Sequence, residues 1–390
     1  MIHVDAGSFL TVVAVAALAA LVAGLLEGRI ALPVVVIEIL LGILVGPHLL
    51  HLADPDAFLE FFASLGLGML FFFAGYEIDF ERIAGTPLRL GALAWVASLV
   101  LAYGLGGLLA AAGVVLSLLF TGSALATTAI GTLIPILSDA GELRTRFGTY
   151  LLAAGAMGEF GPILLITLVF STKHELSHAA ILLLFVAISV LGAVVAVRGV
   201  VRGWPLMERT LETSGQLAIR IAVVTIFALG ALAASLGLDL LIGGFVAGVI
   251  VRLALKGHEV SVFESKLTAV GYGFFIPFFF VVSGIKFDLT ALTSDPKEAY
   301  KVPLFLGLFL VVRGLPALAL YRRVLDARER LALALFCATE LPLVVAITTI
   351  AVDDGHMRTS TAASLVGAAV LSTLLFPLLA LRVRAGERIR

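Results

Sequence analysis

The sequence predicts an all-α, polytopic membrane protein of 13 transmembrane helices, arranged as two inverted six-helix repeats with crossed, broken helices in spans 5 and 12. Three observations lead there. Of the 390 residues, 61 % are hydrophobic and 14 % charged, with a mean hydropathy of +1.14. A soluble domain carries about 45–50 % apolar and ~25 % charged residues, so this excess cannot all be hidden inside a water-soluble core. The apolar residues also fall in runs of about 20, the length a helix needs to cross a bilayer. Finally, two runs lying seven spans apart carry matching helix-breaking patches. The same composition excludes disorder, and a net charge of −1 excludes a basic nucleic-acid surface. The one cysteine, Cys337, sits in an apolar run, which excludes disulfide frameworks and cysteine metal sites.

The predicted spans cover about 9–26, 30–47, 58–76, 88–113, 114–137, 147–171, 176–197, 216–236, 238–255, 265–285, 302–321, 330–352 and 361–381. Their connections are short and polar, such as Ser138-Asp139-Ala140-Gly141-Glu142 and Tyr321-Arg322-Arg323. None is long enough for a separate soluble domain, so residues 1–390 read as a single membrane unit. The first run has no basic flank and no small-residue cleavage site, and therefore reads as a span and not a signal peptide. With the N-terminus placed outside, 19 of the 26 Lys and Arg residues fall on the cytoplasmic side, including the C-terminal tail. Only Lys173, Lys286, Lys297, Lys301 and Arg358 fall outside, while Arg220 and Arg313 lie within spans. This asymmetry predicts a multi-pass plasma-membrane protein with a cytoplasmic C-terminus and an odd number of crossings.

Span 5 is interrupted at Ala126-Thr127-Thr128-Ala129-Ile130-Gly131-Thr132, followed by Pro135, and span 12 at Ala338-Thr339-Glu340-Leu341-Pro342. Because the separation is odd, the two must run in opposite directions. Paired interrupted helices in matching halves point to a transporter binding site.

Four ionisable residues lie deep in spans: Glu38, Glu159, Arg313 and Glu340. A charge at the bilayer centre costs roughly 2.5–3.5 kcal/mol on insertion scales, so such residues face the bundle interior and mark ion pathways. Glu159 sits in Ala156-Met157-Gly158-Glu159-Phe160-Gly161-Pro162, where the glycines let the carboxylate meet the broken segment of span 5. Freed carbonyls and the hydroxyls of Thr127, Thr128 and Thr132 add oxygen ligands of the kind a hard monovalent cation takes. A proton neutralises the same carboxylate, and that competition is sufficient for exchange. Arg313 stays protonated when buried, so it needs counter-charge. Glu159 and Glu340 are the candidates, and Glu340 is expected to pair with it. Glu38 is a secondary candidate for the ion path.

At these residues the chain resembles the monovalent cation:proton antiporter-2 family, the Kef-type sodium/potassium–proton exchangers. The stretch from Leu32 to Pro47, LPVVVIEILLGILVGP, is similar to that family's second span. Leu65 to Asp79, LGLGMLFFFAGYEID, is similar to its third span, and Phe278 to Asp288, FFFVVSGIKFD, to its phenylalanine-rich tenth. The resemblance implies a sodium/proton-antiporter-like fold and a homodimer. It further implies a dimerisation scaffold from about 9–76 and 216–285, a linker helix at 176–197, and a transport core from about 88–171 and 302–381 that slides like an elevator. It places Glu159 where the family has its ion-binding aspartate, Thr127 and Thr128 in its broken-helix motif, and Arg313 where many members have Lys or Arg. Two departures stand out. Gly158 replaces the family's Asp, Asn or Gln and Glu159 its Asp, so a single carboxylate implies electroneutral one-for-one exchange. The chain also ends at Arg390 with no room for the nucleotide-binding regulatory domain of Kef-type systems, so gating of that kind would need a separate cytosolic subunit.

The sequence thus predicts a secondary antiporter of protons against Na⁺ or K⁺, with no cofactor beyond its transported ions and with the lipid bilayer as its setting. The alternative is a cation-coupled symporter of an organic solute on a related crossed-helix fold; against it, the crossover offers few Asn or Gln groups. An enzyme is not expected, because all seven histidines lie at span ends or in loops. His174 and His178 come nearest to metal-ligand spacing, and both read as solvent-facing.

Overall fold

A computed structural model of the chain describes residues 5–26, 33–77, 80–169, 175–236, 240–256, 258, 260–287, 290 and 300–385. Arg29, Asp79, Lys173, His174, Asp288, Lys297, Arg388 and Arg390 lie outside these residues, as does the side chain of His178. All the regular elements described are helical. In chain order they are α1 Ala6–Leu26, α2 Val34–Val45, α3 Ala57–Tyr76, α4 Phe80–Ile83, α5 Thr86–Ala111, α6 Leu118–Leu125, α7 Ile130–Asp139, α8 Arg146–Val169 and α9 Glu175–Leu211. There follow α10 Leu217–Ser235, α11 Leu240–Ala254, α12 Ser261–Val270, α13 Ile276–Ile285, α14 Lys301–Phe309, α15 Leu315–Leu320, α16 Ala327–Cys337, α17 Pro342–Asp353 and α18 Thr359–Ala385. Single π-helical turns, Gly271–Phe275 and Leu310–Gly314, join α12 to α13 and α14 to α15.

Among the described residues, eight helical stretches are long and apolar enough to cross a membrane, and three shorter ones, Val34–Val45, Leu118–Ile134 and Ile242–Ala254, are apolar. Helix α9 has 37 residues and runs well past the predicted end of its span at 197. Hydropathy ends a span where charge begins, at Arg198 and Arg202, but the backbone ladder has no reason to stop there.

The chain forms two compact units. The first contains Met1–Ala16, Ala53–Ile78 and Ile163–Val282. Its centre is the contact of α3 with α11, built on missing side chains. A Cβ added to Gly75 would overlap the Phe245 carbonyl oxygen, and one on Gly248 would overlap that of Phe72. Small residues let membrane helices approach backbone to backbone, where dispersion and packing replace the absent hydrophobic drive. Aromatic rings fill one end: Phe58–Phe62 and Phe62–Phe278 centroids are each 5.0 Å apart, and Phe9–Phe278 centroids are 5.4 Å apart. At another point, the Tyr76 hydroxyl donates to Glu264 Oε1 at 2.8 Å, and Arg252 reaches the same oxygen at 3.4 Å.

The second unit contains Ala17–Leu52, Asp79–Pro162 and Ser283–Arg390. Helix α2 joins it because a Cβ on Gly284 would overlap the Ile39 carbonyl, which fixes α2 against the end of α13. Helix α5 packs on α6, α16 on α18, and α17 on both α6 and α18. At the end of α18, Arg384 binds Glu142 at 3.0 Å and Glu329 at 3.3 Å, with its guanidinium 4.5 Å from the centre of the Phe147 ring. Glu329 also completes the capping box of α16 with Asp326, so one cation ties together three chain segments.

Close approach at α3–α11 sets a testable cost. Gly248→Val should destabilise the purified protein by about 1–3 kcal/mol, the usual range for overpacking, seen as a lower melting temperature in detergent. Gly104→Ala, where an added Cβ meets nothing within 4 Å and the helix interior favours Ala over Gly, should not lower the melting temperature.

Candidate functional site: two interrupted helices around a buried guanidinium

The chain leaves helical geometry at 126–129, between α6 and α7, and again at 338–341, between α16 and α17. Such breaks free backbone N–H and C=O groups, which hydrocarbon cannot satisfy. The two breaks satisfy each other. Ala129 N–H donates to the Thr339 carbonyl at 2.8 Å, Thr128 Oγ1–H to the Cys337 carbonyl at 2.6 Å, and Thr127 Oγ1–H to Glu340 Oε2 at 3.0 Å. Neighbouring helices supply the rest. Trp95 Nε1 of α5 donates to the Ala126 carbonyl at 3.2 Å. On α18, Ser372 and Thr373 hydroxyls donate to the Glu340 carbonyl at 3.1 and 3.2 Å, while Glu340 N–H donates to Ser372 Oγ at 3.0 Å.

Helix α8 meets the first break through a consequence of its own sequence. Pro162 has no N–H to give to the carbonyl four residues back. That carbonyl belongs to Gly158, and it accepts the Thr128 N–H at 3.1 Å instead. Gly158 matters a second way: a Cβ there would overlap Arg313 Nη2 and lie 2.7 Å from Thr128 Oγ1. The guanidinium occupies the space a side chain at 158 would need. Gly161 likewise leaves room for the Trp95 indole. Adjacent to this contact is Glu159, 5 % exposed.

Arg313 sits in the π turn Leu310–Gly314, 3 % exposed. Turns of this kind recur at functional sites because they re-aim a side chain. Its Nε donates to Thr128 Oγ1 at 2.9 Å, Nη1 to Ser98 Oγ at 3.2 Å and Nη2 to the Ala154 carbonyl at 3.3 Å. All three acceptors are neutral. The expected ion pair with Glu340 is therefore corrected: the slot left by Gly158 draws the fork toward α8 and α5. Glu340 is fully buried, its Oε2 held by Thr127, and its Oε1 has no hydrogen-bond partner among the described residues.

Of the residues singled out from sequence, Thr127, Thr128, Arg313 and Glu340 share one hydrogen-bonded cluster, and Glu159 adjoins it through Gly158. Thr132 lies in the first turn of α7, partly exposed, and makes no hydrogen bond to this cluster. Glu38 is 3 % exposed on α2 and likewise makes none. Sequence reasoning passed over Trp95, Ser98, Ser372 and Thr373. The available signal was their pairing, Trp95 with Ser98 three apart on one helical face and Ser372 beside Thr373, inside otherwise apolar runs.

Two substitutions test this bonding. Trp95→Phe leaves the Ala126 carbonyl buried without its donor and should lower stability by about 1–3 kcal/mol. Arg313→Lys, which cannot span three acceptors, should lower the melting temperature in detergent as well.

The profile of the sodium/hydrogen exchanger, transmembrane family matches residues 14–381. The chain is 27 % identical over 97 % of its length to YjbQ of Bacillus subtilis (strain 168), a protein assigned as a Na⁺/H⁺ antiporter, and spans 63 % of that protein. It is 27 % identical to the Na⁺/H⁺-K⁺ antiporter GerN of Bacillus cereus over 68 % of this chain and 69 % of GerN. Among solved structures, the sodium proton antiporter MjNhaP1 of Methanocaldococcus jannaschii superposes with a TM-score of 0.67 at 18 % identity, covering 98 % of this chain and 96 % of that one. The three carry Na⁺/H⁺ antiporter names, and the narrower Kef-type reading gains nothing from them. The chain belongs to the sodium/hydrogen exchanger family of transmembrane proteins.

Proposed function

We propose that the protein is a secondary antiporter exchanging protons for Na⁺ or K⁺, with Glu159 as the carboxylate that both ions share. The observation that carries this reading is the meeting of two interrupted helices beside a buried glutamate, all within one compact unit. A protonated Glu159 is neutral and tolerates burial. A monovalent cation restores neutrality only by displacing that proton, so the two cannot occupy the site together. Thr127, Thr128 and Thr132 are the proposed oxygen ligands. The Thr128 hydroxyl oxygen already accepts from Arg313, so a cation bound there shares that oxygen with the guanidinium. Glu38 remains a secondary candidate on the path.

The names of YjbQ, GerN and MjNhaP1 support cation–proton exchange, and that of GerN admits both Na⁺ and K⁺. The wider architecture is proposed with it: 13 spans in two inverted repeats, a homodimer in the plasma membrane, the N-terminus outside and the C-terminus cytoplasmic. In an elevator cycle the scaffold, about 9–76 and 216–285, stays fixed, 176–197 links, and the core, about 88–171 and 302–381, carries the ions. Confinement of both breaks, Glu159 and Arg313 to a single compact unit is what such a moving core requires.

The test is Glu159→Gln in proteoliposomes, assayed with Na⁺, K⁺ and Li⁺ in turn. Cation-driven pH change should fall to the level of protein-free vesicles while expression and melting temperature hold. Retained exchange removes Glu159 from the mechanism.

A further inference from the structure

We propose that Tyr321 and the spare N–H donors of Arg313 hold an ordered water, and that phenol and water together relay protons to the crossing from the end of the second unit that bears Arg146, Arg322 and Arg323. The relay rests on the exchange reading above and adds to it a route and a positioning residue.

Two sets of buried polar hydrogens lack a partner among the described residues. A guanidinium carries five N–H donors, and Arg313 commits three, to Thr128, Ser98 and the Ala154 carbonyl. The rest stay buried on a residue 3 % exposed. The second set is the hydroxyl of Tyr321, a residue 0 % exposed. A tyrosine kept for bulk alone gains nothing from an unmatched hydroxyl, which phenylalanine avoids at nearly the same volume. Tyr321 follows α15, about two helical turns beyond Arg313. Its carbonyl accepts the Val324 and Leu325 N–H groups at 3.0 and 2.9 Å, which fixes the residue where the chain turns toward α16. Its ring meets that of Tyr150 edge-on, with centroids 6.0 Å apart. Tyr150 stands one turn before Ala154, the α8 residue that Arg313 touches, and one turn after Arg146, whose guanidinium lies 5.9 Å from its ring centre. Arg313, Cys337 and Tyr150 are the groups that act electrostatically on the Tyr321 phenol. Buried water settles where polar groups without protein partners converge. A metal cation is repelled by the guanidinium, whereas a water accepts from Arg313 and bonds the phenol. Arg322 and Arg323, next along the chain, are exposed, so the phenol stands between the aqueous end and the crossing. In such a line each oxygen takes a hydrogen on one side and gives one up on the other, and both phenol and water end as they began.

The experiment has two arms, both on the full chain. Radiolytic hydroxyl-radical labelling in isotopically heavy-oxygen water reads the water itself, because a side chain shut off from solvent is labelled only by a water bound beside it. Tyr321 should take up the label while Phe305, equally buried and apolar, does not. An unlabelled Tyr321, or equal labelling of both, overturns the proposal. The second arm is Tyr321→Phe in proteoliposomes. Its exchange rate should fall about two- to tenfold, the worth of one hydrogen bond, at an unchanged half-saturating Na⁺ concentration. An unchanged rate overturns the relay, and a raised half-saturating concentration does so by making the residue part of the cation site. A raised melting temperature in Tyr321→Phe also counts against it, since removing a dry, unmatched hydroxyl stabilises and removing a water-bonded one does not. Should that variant fail to fold, labelling of the unaltered protein still decides. Failure of the unaltered protein to move protons against Na⁺, K⁺ or Li⁺ would instead remove the exchange reading itself, and the relay with it, whatever the labelling.

Discussion

A peptide group freed inside hydrocarbon has nothing to bond to but protein. The second compact unit is organised around that constraint. Two helices give up their ladders near the middle, and each recovers the lost bonds from the other, through Ala129 with Thr339 and Thr128 with Cys337. Neither break is tenable without its partner. The surrounding helices are drawn in for the same reason: α5 brings an indole donor, α18 two hydroxyls, α8 a carbonyl. A polar junction in a lipid setting is thereby built almost entirely from satisfied neutral groups, leaving few places where charge can reside.

Those places carry the chemistry. Pro162 releases the Gly158 carbonyl to Thr128, and the bare Cα of Gly158 leaves the volume that Arg313 fills. The next residue is Glu159. The fixed cation, the first break and the proposed carrier thus meet along one five-residue stretch of α8, Gly158 to Pro162. Because Arg313 is anchored by neutral oxygens, it raises the local potential without extinguishing any one acid by direct pairing. The exchange proposed for Glu159 would run beside this fixed charge.

Much of this was legible in the sequence because membrane helices obey few rules and obey them strictly. Runs of apolar residues gave the helices. Thr127, Thr128 and Glu340 announced the breaks, since no lipid-facing helix retains such residues beside Pro and Gly. Glu159 and Arg313 stood out by their insertion cost. The failures also have causes. The Arg313–Glu340 pair was inferred from opposite charge alone, and spacing cannot show that Gly158 opens a nearer slot with neutral acceptors. Trp95, Ser98, Ser372 and Thr373 were passed over because polar groups in apolar helices commonly bond their own backbone, and only their pairing set them apart. The extra length of α9 escaped because hydropathy measures burial in lipid and not helix continuity.

In the proposed exchange, the buried Glu159 carboxyl surrenders its proton when a cation binds. Infrared difference spectroscopy of the purified protein, recorded on adding Na⁺ or K⁺ at constant pH, reads this most directly. The account predicts loss of a protonated carboxylic C=O band and gain of a carboxylate band, diminished in Glu159→Gln. An unchanged carboxyl region on cation binding, or a full-sized signal in Glu159→Gln, would contradict it.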